Sequence, residues 1–339
     1  MRIKASQAYT WITRAAIEHP HDLAHAFGEK FGVSRATSAK WLRQLVDEGW
    51  VIRQGTTRPQ WHPGRRRLMI ARYALPGLDE SLCWLHDFEP FLDLPSAIVN
   101  IAHYGFTEML NNANDHSGGT RVKVCAMQTA TRLHLLIHDN GIGVFERIAK
   151  GLTLPDRRIA LLELSKGKCT TDPSNHSGEG IFFCSRIFDR FTLEANDLVF
   201  THDIAMKHDW LYEPDDTGLE QGTRIRMVIR LDSPRTLHQV FAEYGDDDAL
   251  SFHRTVVPVK LARIGNENLI SRSQAKRLIQ RFDQFRTVVL DFEDVPEIGQ
   301  AFADEVFRVF ERSHPSLMLV VARANEGVSR MIARARAHQ

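Results

Sequence analysis

The sequence has no paired cysteines. Its four, Cys83, Cys125, Cys169 and Cys184, are scattered with no CxxC spacing. That removes any sequence ground for a zinc site or a disulfide frame, and it fits a reduced cytoplasm. No run of about 18 apolar residues exists, so no membrane span is expected. The opening "MRIKASQAYTWITRA" lacks the apolar core of a signal peptide. A cytoplasmic location is the resulting expectation. There is no internal repeat and no long low-complexity tract, which argues against a repeat array.

What is present reads as globular. The 339 residues leave room for two or three domains, and 43% apolar with 25% charged residues is ordinary for such chains. The net charge of +1 conceals an asymmetry. Residues 1–75 hold thirteen Lys and Arg against five Asp and Glu, about +8, so the remainder carries about −7. Basic charge gathered at one end points to a polyanionic partner there, although basic faces are also often merely solvated. Polar, turn-rich stretches at 56–67, 211–222 and 242–250 punctuate the chain. They place domain junctions near 75–90 and near 235–250.

Residues 5–73 read as three helices and a hairpin. Tyr9, Ile12, Ala16 and Ile17 share one face of the first helix. Asp22 opens the second, which stops at Gly32, and Ser34 opens the third, which stops at Gly49. In the third helix Ala39, Leu42, Leu45 and Val46 make a core stripe. "WVIRQGTTRPQW" then alternates through a turn. The segment "DLAHAFGEKFGVSRATSAKWLRQLVDEGWV" resembles a winged helix-turn-helix domain. The resemblance implies a DNA duplex as partner, with Arg35, Ser38, Lys40 and Arg43 facing a major groove and Arg53 and Arg58 on the wing. The alternative is a winged helix used for protein contacts.

Next, "LPSAIVNIAHYGFTEML" has apolar residues at helical spacing and ends in "FTEMLNNANDHSGG", where polar residues crowd. Three further signals follow. "RLHLLIHDNGIGV" is an apolar strand running into Asp139-Asn140-Gly141-Ile142-Gly143. "NHSGEGIFFCSRIFD" opens a helix-like stretch on a glycine pair. "GLEQGTRIRMVIRL" places Gly222-Thr223 before an alternating strand. Each is weak singly; their order and spacing give them force. Over roughly 90–232 the set resembles the GHKL ATPases, the group of gyrase, Hsp90 and histidine kinases, and is nearest to the anti-sigma-factor kinases. Glu108-x3-Asn112 matches the first box, with Asp115 and His116 following. Asp139-x-Gly141-x-Gly143 matches the second, Gly178-x-Gly180 the third and Gly222-Thr223 the last.

The resemblance implies ATP and Mg²⁺ as cofactors. Glu108 and Asn112 lie four apart on one helix face. Glu108 would orient and deprotonate an attacking oxygen, and the Asn112 amide oxygen would bind Mg²⁺. Asp115 and His116 would support them. Asp139 would accept from the adenine amine, with Gly141 and Gly143 letting the backbone approach and Ile142 packing on the base. Gly178 and Gly180, flanked by Ser177, Glu179 and Ile181, would present backbone N–H groups to phosphate. Thr223 would add a hydroxyl near adenine. Residues 144–177 would form a lid from which Lys166 and Lys168 reach phosphate; solvated loop lysines are the plainer reading. Asn111 and Asn114 are expected to face elsewhere, as capping or surface residues.

The C-terminal part alternates strand and helix, with "TVVLDF" and "LMLVVA" as buried strands. It resembles the STAS-like (DUF4325-type) modules found behind GHKL domains. The loop after its central strand, "EDVPEIGQAF", has no Ser or Thr to phosphorylate. A protein-binding or regulatory role is implied.

The expected fold is multidomain α+β: a winged helix over 1–75, a GHKL α/β sandwich over 85–235 and a STAS-like α/β domain over 250–339. The expected function is an ATP-binding, ATP-hydrolysing regulator in which Mg-ATP sets conformation or dimerisation and hence DNA or partner binding. A protein serine/threonine kinase acting on a partner, and a non-hydrolysing nucleotide-dependent interaction protein, are the alternatives. A phosphoacceptor histidine helix is missing, which disfavours a two-component histidine kinase.

Overall fold

The computed structural model describes residues 3–169, 178–205, 208–212, 221–245, 252–263 and 267–337. The elements run α1 (Ala5–Glu18), α2 (Leu23–Phe31), α3 (Arg35–Asp47), β1 (Val51–Gln54), β2 (Gln60–Pro63), β3 (Arg67–Ala74), α4 (Glu80–Asp87), α5 (Ser96–His116), β4 (Arg121–Gln128) and β5 (Arg132–Asp139). Then come α6 (Val144–Gly151), α7 (Arg158–Lys166), α8 (Gly180–Ile187), β6 (Arg190–Ala195), β7 (Leu198–Asp203), β8 (His208–Tyr212), β9 (Thr223–Arg230) and α9 (Leu237–Tyr244). Last are β10 (Arg254–Pro258), α10 (Arg272–Ile279), β11 (Thr287–Asp291), α11 (Gln300–Asp304), a π-helical segment (Glu305–Phe310), α12 (Glu311–Ser313), β12 (Met318–Ala322) and α13 (Glu326–Ala337). No described helix is long and apolar enough to cross a membrane. The chain divides into two compact units. The first holds Met1–Gly141, Phe188–Phe191 and Gly222–Pro234; the second holds Ile142–Ile187, Thr192–Gln221 and Arg235–Gln339.

In the first unit, α1–α3 and the antiparallel β1–β2 hairpin enclose an apolar cluster that includes Ile12, Phe27, Leu42, Leu45, Trp50 and Trp61. Ser34 starts α3 by accepting from the Thr37 N–H at 3.3 Å. The stripe on α3 is shifted from the expected one. Ser38 is fully buried with Leu42 and Leu45, while Ala39 is exposed. Positions 38, 42 and 45 are one helical face, and a Cβ on Gly28 would meet Ser38 Oγ at 3.2 Å, so only a small residue fits there. Ser38 therefore packs α3 on α2, which corrects its expected place on a groove-facing surface.

The boundary near 75 is also corrected. β3 pairs antiparallel with β4 along its whole length, from Arg67↔Gln128 to Ala74↔Arg121, so it belongs to a sheet of strand order β3-β4-β5-β9. The first residues of β6, Arg190 and Phe191, continue that order beside β9. β4, β5 and β9 alternate buried and less buried positions. α5 packs on this sheet with Ile98, Ile101, Phe106, Met109, Leu110 and Ala113 inward. It can approach closely because Gly105 has no side chain: a Cβ there would lie 2.4 Å from the Phe188 ring.

In the second unit β7 and β8 form an antiparallel pair. β10, β11 and β12 form a parallel sheet in that order, in register from Arg254↔Thr287↔Met318 to Pro258↔Asp291↔Ala322. α10 and the α11–α12 stretch connect these strands. α7 packs against β10. Every residue from Ile159 to Lys166 is buried. The stretch expected as a lid over 144–177 thus contains a core helix: Ile159, Leu161, Leu162 and Leu164 are too apolar to leave in water.

Candidate functional site

Strand alternation delivers Asp139 to the interior. Leu133, Leu135, Ile137 and Asp139 occupy the buried positions of β5. Thr223, Ile225, Met227 and Ile229 do the same on β9, whose register pairs Ile137 with Ile225. Asp139 is only 5% exposed, and one of its oxygens accepts from the backbone N–H groups of Gly141 at 2.8 Å and Thr223 at 3.2 Å. Burial raises its pKa above the ordinary carboxylate value, and those two N–H bonds oppose the shift. Gly222 is required beside it. Its φ is +88° and a Cβ would fall 2.0 Å from the Asp139 carbonyl oxygen.

The polar end of α5 lies in the same unit. Glu108, Asn112 and His116 are partly buried and Asp115 is exposed. Asp115 is engaged by amides: Asn114 Nδ2 donates to it at 2.9 Å, and the Asn111 amide, oriented to suit its neighbours, donates to it and to Glu80. Asn114 Oδ1 also accepts from the N–H groups of Gly77 and Leu78, at 2.9 and 3.2 Å. Asn111 and Asn114 thus fasten the 77–80 segment to α5. Beyond α5, Ser117 Oγ donates to the Ala113 carbonyl and accepts from the Gly119 N–H. Asn140 Oδ1 accepts from the N–H groups of Thr120 at 2.9 Å and Arg121 at 3.0 Å. These bonds knit the helix end to the 139–141 turn.

The second unit holds the other candidates. Gly143 has φ +86°, and a Cβ there would meet Asn196 Oδ1 at 2.2 Å. Asn196 Nδ2 donates to the Ile142 carbonyl at 3.0 Å, and its Oδ1 accepts from the Glu146 N–H at 3.2 Å. Asn196 therefore shapes the 142–146 turn and starts α6. In the sequence Asn196 shows only as an Asn-Asp pair between two strands, a turn signature that carries no hint of what the turn touches. Ile142 is 37% exposed, unusual for its type. Gly178 accepts from the Cys169 N–H at 3.0 Å, Glu179 precedes α8, and Gly180 and Ile181 begin it. Ser177 lies outside the described residues.

Lys166 is corrected. It is fully buried, and its Nζ donates to Glu163 at 2.7 Å and to the carbonyls of Gln280 at 2.8 Å and Arg277 at 3.3 Å. Burial pushes its pKa down to about 8 despite Glu163. Arg281 completes the pair, donating to Glu163 at 2.9 Å. Lys168 is tied as well: its Nζ donates to the Gln284 carbonyl at 3.1 Å and sits 5.2 Å from the Phe285 ring. Both lysines tie the end of α7 to the 277–285 region; for the buried Lys166 a phosphate would have to displace partners that a buried ammonium requires.

Of the residues expected at DNA, Arg35, Lys40, Arg43, Arg53 and Arg58 are exposed. α2, α3 and β1 border a cavity of about 1110 Å³ whose lining includes Arg35, Arg43 and Arg53 but also Asp22, Glu29 and Asp47. Arg53 stacks 5.9 Å over Trp61. Among the described residues no group of three or more His, Cys, Asp or Glu could hold a metal ion. A Mg²⁺ carried on nucleotide phosphates needs only one or two protein oxygens, so that does not conflict with the Asn112 reading.

A match to a known family falls in the parallel β10–β12 region. Residues 274–328 match a family model described as a STAS-like domain of unknown function (DUF4325). The STAS-like match takes in α10, β11, the α11–α12 stretch, β12 and the start of α13, and it begins after β10. No curated protein matches the chain.

Proposed function

We propose that this chain is an ATP-dependent DNA-binding regulator of GHKL type, with an N-terminal winged helix and a C-terminal STAS-like module. The observation that carries the nucleotide half is Asp139: a buried strand-end carboxylate with one oxygen held by the N–H groups of Gly141 and Thr223. Orienting one oxygen leaves the other for an exocyclic amine, the adenine contact the GHKL resemblance assigns. Glu108 and Asn112 on α5 take the roles of base and Mg²⁺ ligand, and bound Mg²⁺ would neutralise phosphate charge. Glu108 accepts the proton of the attacking oxygen. In the second unit, Ile142, Gly143 and Gly178–Ile181 keep the base-packing and phosphate roles. Lys166 and Lys168 are withdrawn from them.

The DNA half rests on the excess of basic charge in residues 1–75 and on the exposed Arg35, Lys40 and Arg43 of α3. Nucleotide changes DNA affinity only if it binds two arrangements of the protein unequally. One titration series tests both halves. Mg-ATP binds wild type and Glu108→Ala, while only wild type releases phosphate. Duplex affinity falls steeply with salt, and less steeply in Arg35→Gln/Arg43→Gln. Labelled phosphate on a partner's Ser would move the reading to a protein kinase. Absence of Mg-ATP binding to wild type would end the nucleotide half.

A further inference from the structure

The sheet of β3, β4, β5 and β9 has two faces of opposite character. The face toward α5 is buried along β4, β5 and β9. On the other face no residue of the four strands is buried; each is exposed or partly exposed. Register lays that second face out in rows. Arg72, Lys123, His138 and Arg224 are successive cross-strand partners, and Ile70, Cys125, Leu136 and Arg226 form the next row. Leu68, Met127, His134 and Val228 follow, and Arg132 opposite Arg230 closes the face.

The charge on it is of one sign. These rows, with Ala74 and Arg121 beyond them, hold seven Lys and Arg and no Asp or Glu. Arg230 is paired with Asp232, and His138, Arg224 and Arg226 have partners of their own. That leaves Arg72, Arg121, Lys123 and Arg132, whose side chains form no ion pair and no hydrogen bond among the described residues. Arg72 stands directly opposite Lys123, with Arg121 on the diagonal. Like charges so placed destabilise a sheet. A fold that keeps them together with no carboxylate between them carries a cost that an anionic partner relieves.

Beside these cations the face turns neutral. Ile70, Met127, Leu136 and Val228 make a belt two rows deep. Burial, with the Arg132 charge, holds the His134 pKa below its ordinary value, so the imidazole in the belt is uncharged at neutral pH. From the Lys123 row to the Arg132 row is about 20 Å at the rise of a strand, room for one helix about 10–12 Å across.

We infer that this face docks an amphipathic helix of a partner protein, apolar on one side and flanked there by carboxylates. Its apolar stripe covers the belt, and its carboxylates meet Arg72, Arg121 and Lys123 on one flank and Arg132 on the other. A second copy of the same face would set these cations against themselves. The face has no Phe, Tyr or Trp on which nucleic-acid bases could stack, and a phosphate backbone would leave the belt against charge. Membrane docking needs apolar groups that reach below the headgroups, whereas these stay partly covered.

Fluorescence anisotropy of labelled probe peptides, titrated with the full chain in the absence of nucleotide, tests it. Each probe has about 14 residues, long enough as a helix to cross the four strands. The first has Leu and Ala along one helix face with Glu on both flanks. The second carries Lys in place of every Glu, and the third scrambles the order of the first. The first binds saturably, and less tightly as salt rises; the other two bind at least about tenfold more weakly. Lys123→Glu and Arg72→Glu each lower affinity for the first probe about tenfold or more. Each substitution turns a like-charged cross-strand pair into an opposite-charged one, so neither variant melts below wild type. The inference is overturned if wild type shows no saturable binding of the first probe, if the Lys or scrambled probe binds as well, or if Lys123→Glu binds unchanged. Binding of phosphatidylserine vesicles or duplex DNA that falls in Lys123→Glu, with the acidic probe unbound, would assign the face to that polyanion and overturn it too. Lys123 and Arg72 have no part in the proposed nucleotide or winged-helix contacts, so the outcome is independent of those.

Discussion

Asp139 meets two opposed requirements. Its burial disfavours the charged form, and its two backbone N–H bonds favour it; burial is the larger effect and the pKa is raised. A carboxyl whose folded pKa lies above its unfolded value costs stability at pH above the folded value, and that cost vanishes in acid, where both states are protonated. An amide in its place keeps an oxygen for Gly141 and Thr223 and carries no charge. Asp139→Asn is therefore expected to melt no lower than wild type at neutral pH, with any advantage disappearing in acid. On the proposed function it loses Mg-ATP binding, since its free atom becomes a donor facing the adenine amine. Melting curves across pH, paired with titration of Mg-ATP, measure both. A variant that binds unchanged would remove Asp139 from the nucleotide reading. Asp139 was legible in the sequence because period-2 alternation through Leu133, Leu135 and Ile137 fixes its side of the sheet. Ser38, between Arg35 and Lys40 on a basic helix, has the sequence context of a surface residue; only packing against Gly28 buries it.

At the scale of elements, α7 is the clearest departure. Its sequence is apolar enough for a core helix, yet its position between two glycine motifs made it resemble a lid. Lys166 and Glu163 show what it does: they pair fully buried within α7 and bind it to the α10 region, Glu163 through Arg281 and Lys166 through the Arg277 and Gln280 carbonyls, while Thr255 of β10 donates to the Lys166 carbonyl. Removing Lys166 leaves Glu163 with Arg281 alone and takes the donor from the buried Arg277 and Gln280 carbonyls. Lys166→Ala is expected to cost about 3–5 kcal/mol, read from denaturant unfolding. Lys166→Met, which refills the volume, serves to isolate the titration. The ammonium has a folded pKa of about 8, below its ordinary 10.5. Below pH 8 it is charged in both states and its desolvation lowers stability. As pH rises past 8 the folded state releases the proton first, and stability is regained. Wild type should thus gain on Lys166→Met between about pH 7 and about pH 9, in unfolding midpoints at the two ends. A constant gap would mean the proton stays on.

The whole molecule divides differently from its motifs. β3 looks like the end of the N-terminal domain by position, but it supplies a full edge strand to the sheet of β4, β5 and β9. A chain beginning at Arg67 should fold and stay dispersed. One beginning at Pro76 exposes the β4 edge and should aggregate, because unpaired edges recruit other strands. Light scattering of the two fragments distinguishes the cases; equal behaviour would place the boundary back near 75. The charge asymmetry belongs to this scale too, as a property of a whole segment that no single Arg carries.

Local rules, visible in the chain, determined much of this protein. Helical spacing set α1–α3 and α5, with Ser34 capping α3 and Gly32 ending α2 while Asp22 makes no capping bond; alternation set β4, β5 and β9, and the strand–helix alternation of the last third announced the STAS-like region. Glycines with no freedom to be anything else, such as Gly222 beside the Asp139 carbonyl, were legible as motif positions before their contacts were known. Tertiary structure alone decided where charge would be buried. Lys166 could be a solvated cation or a core ion pair, and Arg72 and Lys123 could be dispersed or adjacent. Spacing cannot distinguish these, because the cost of a charge depends on which distant carboxylates and carbonyls the fold brings within reach.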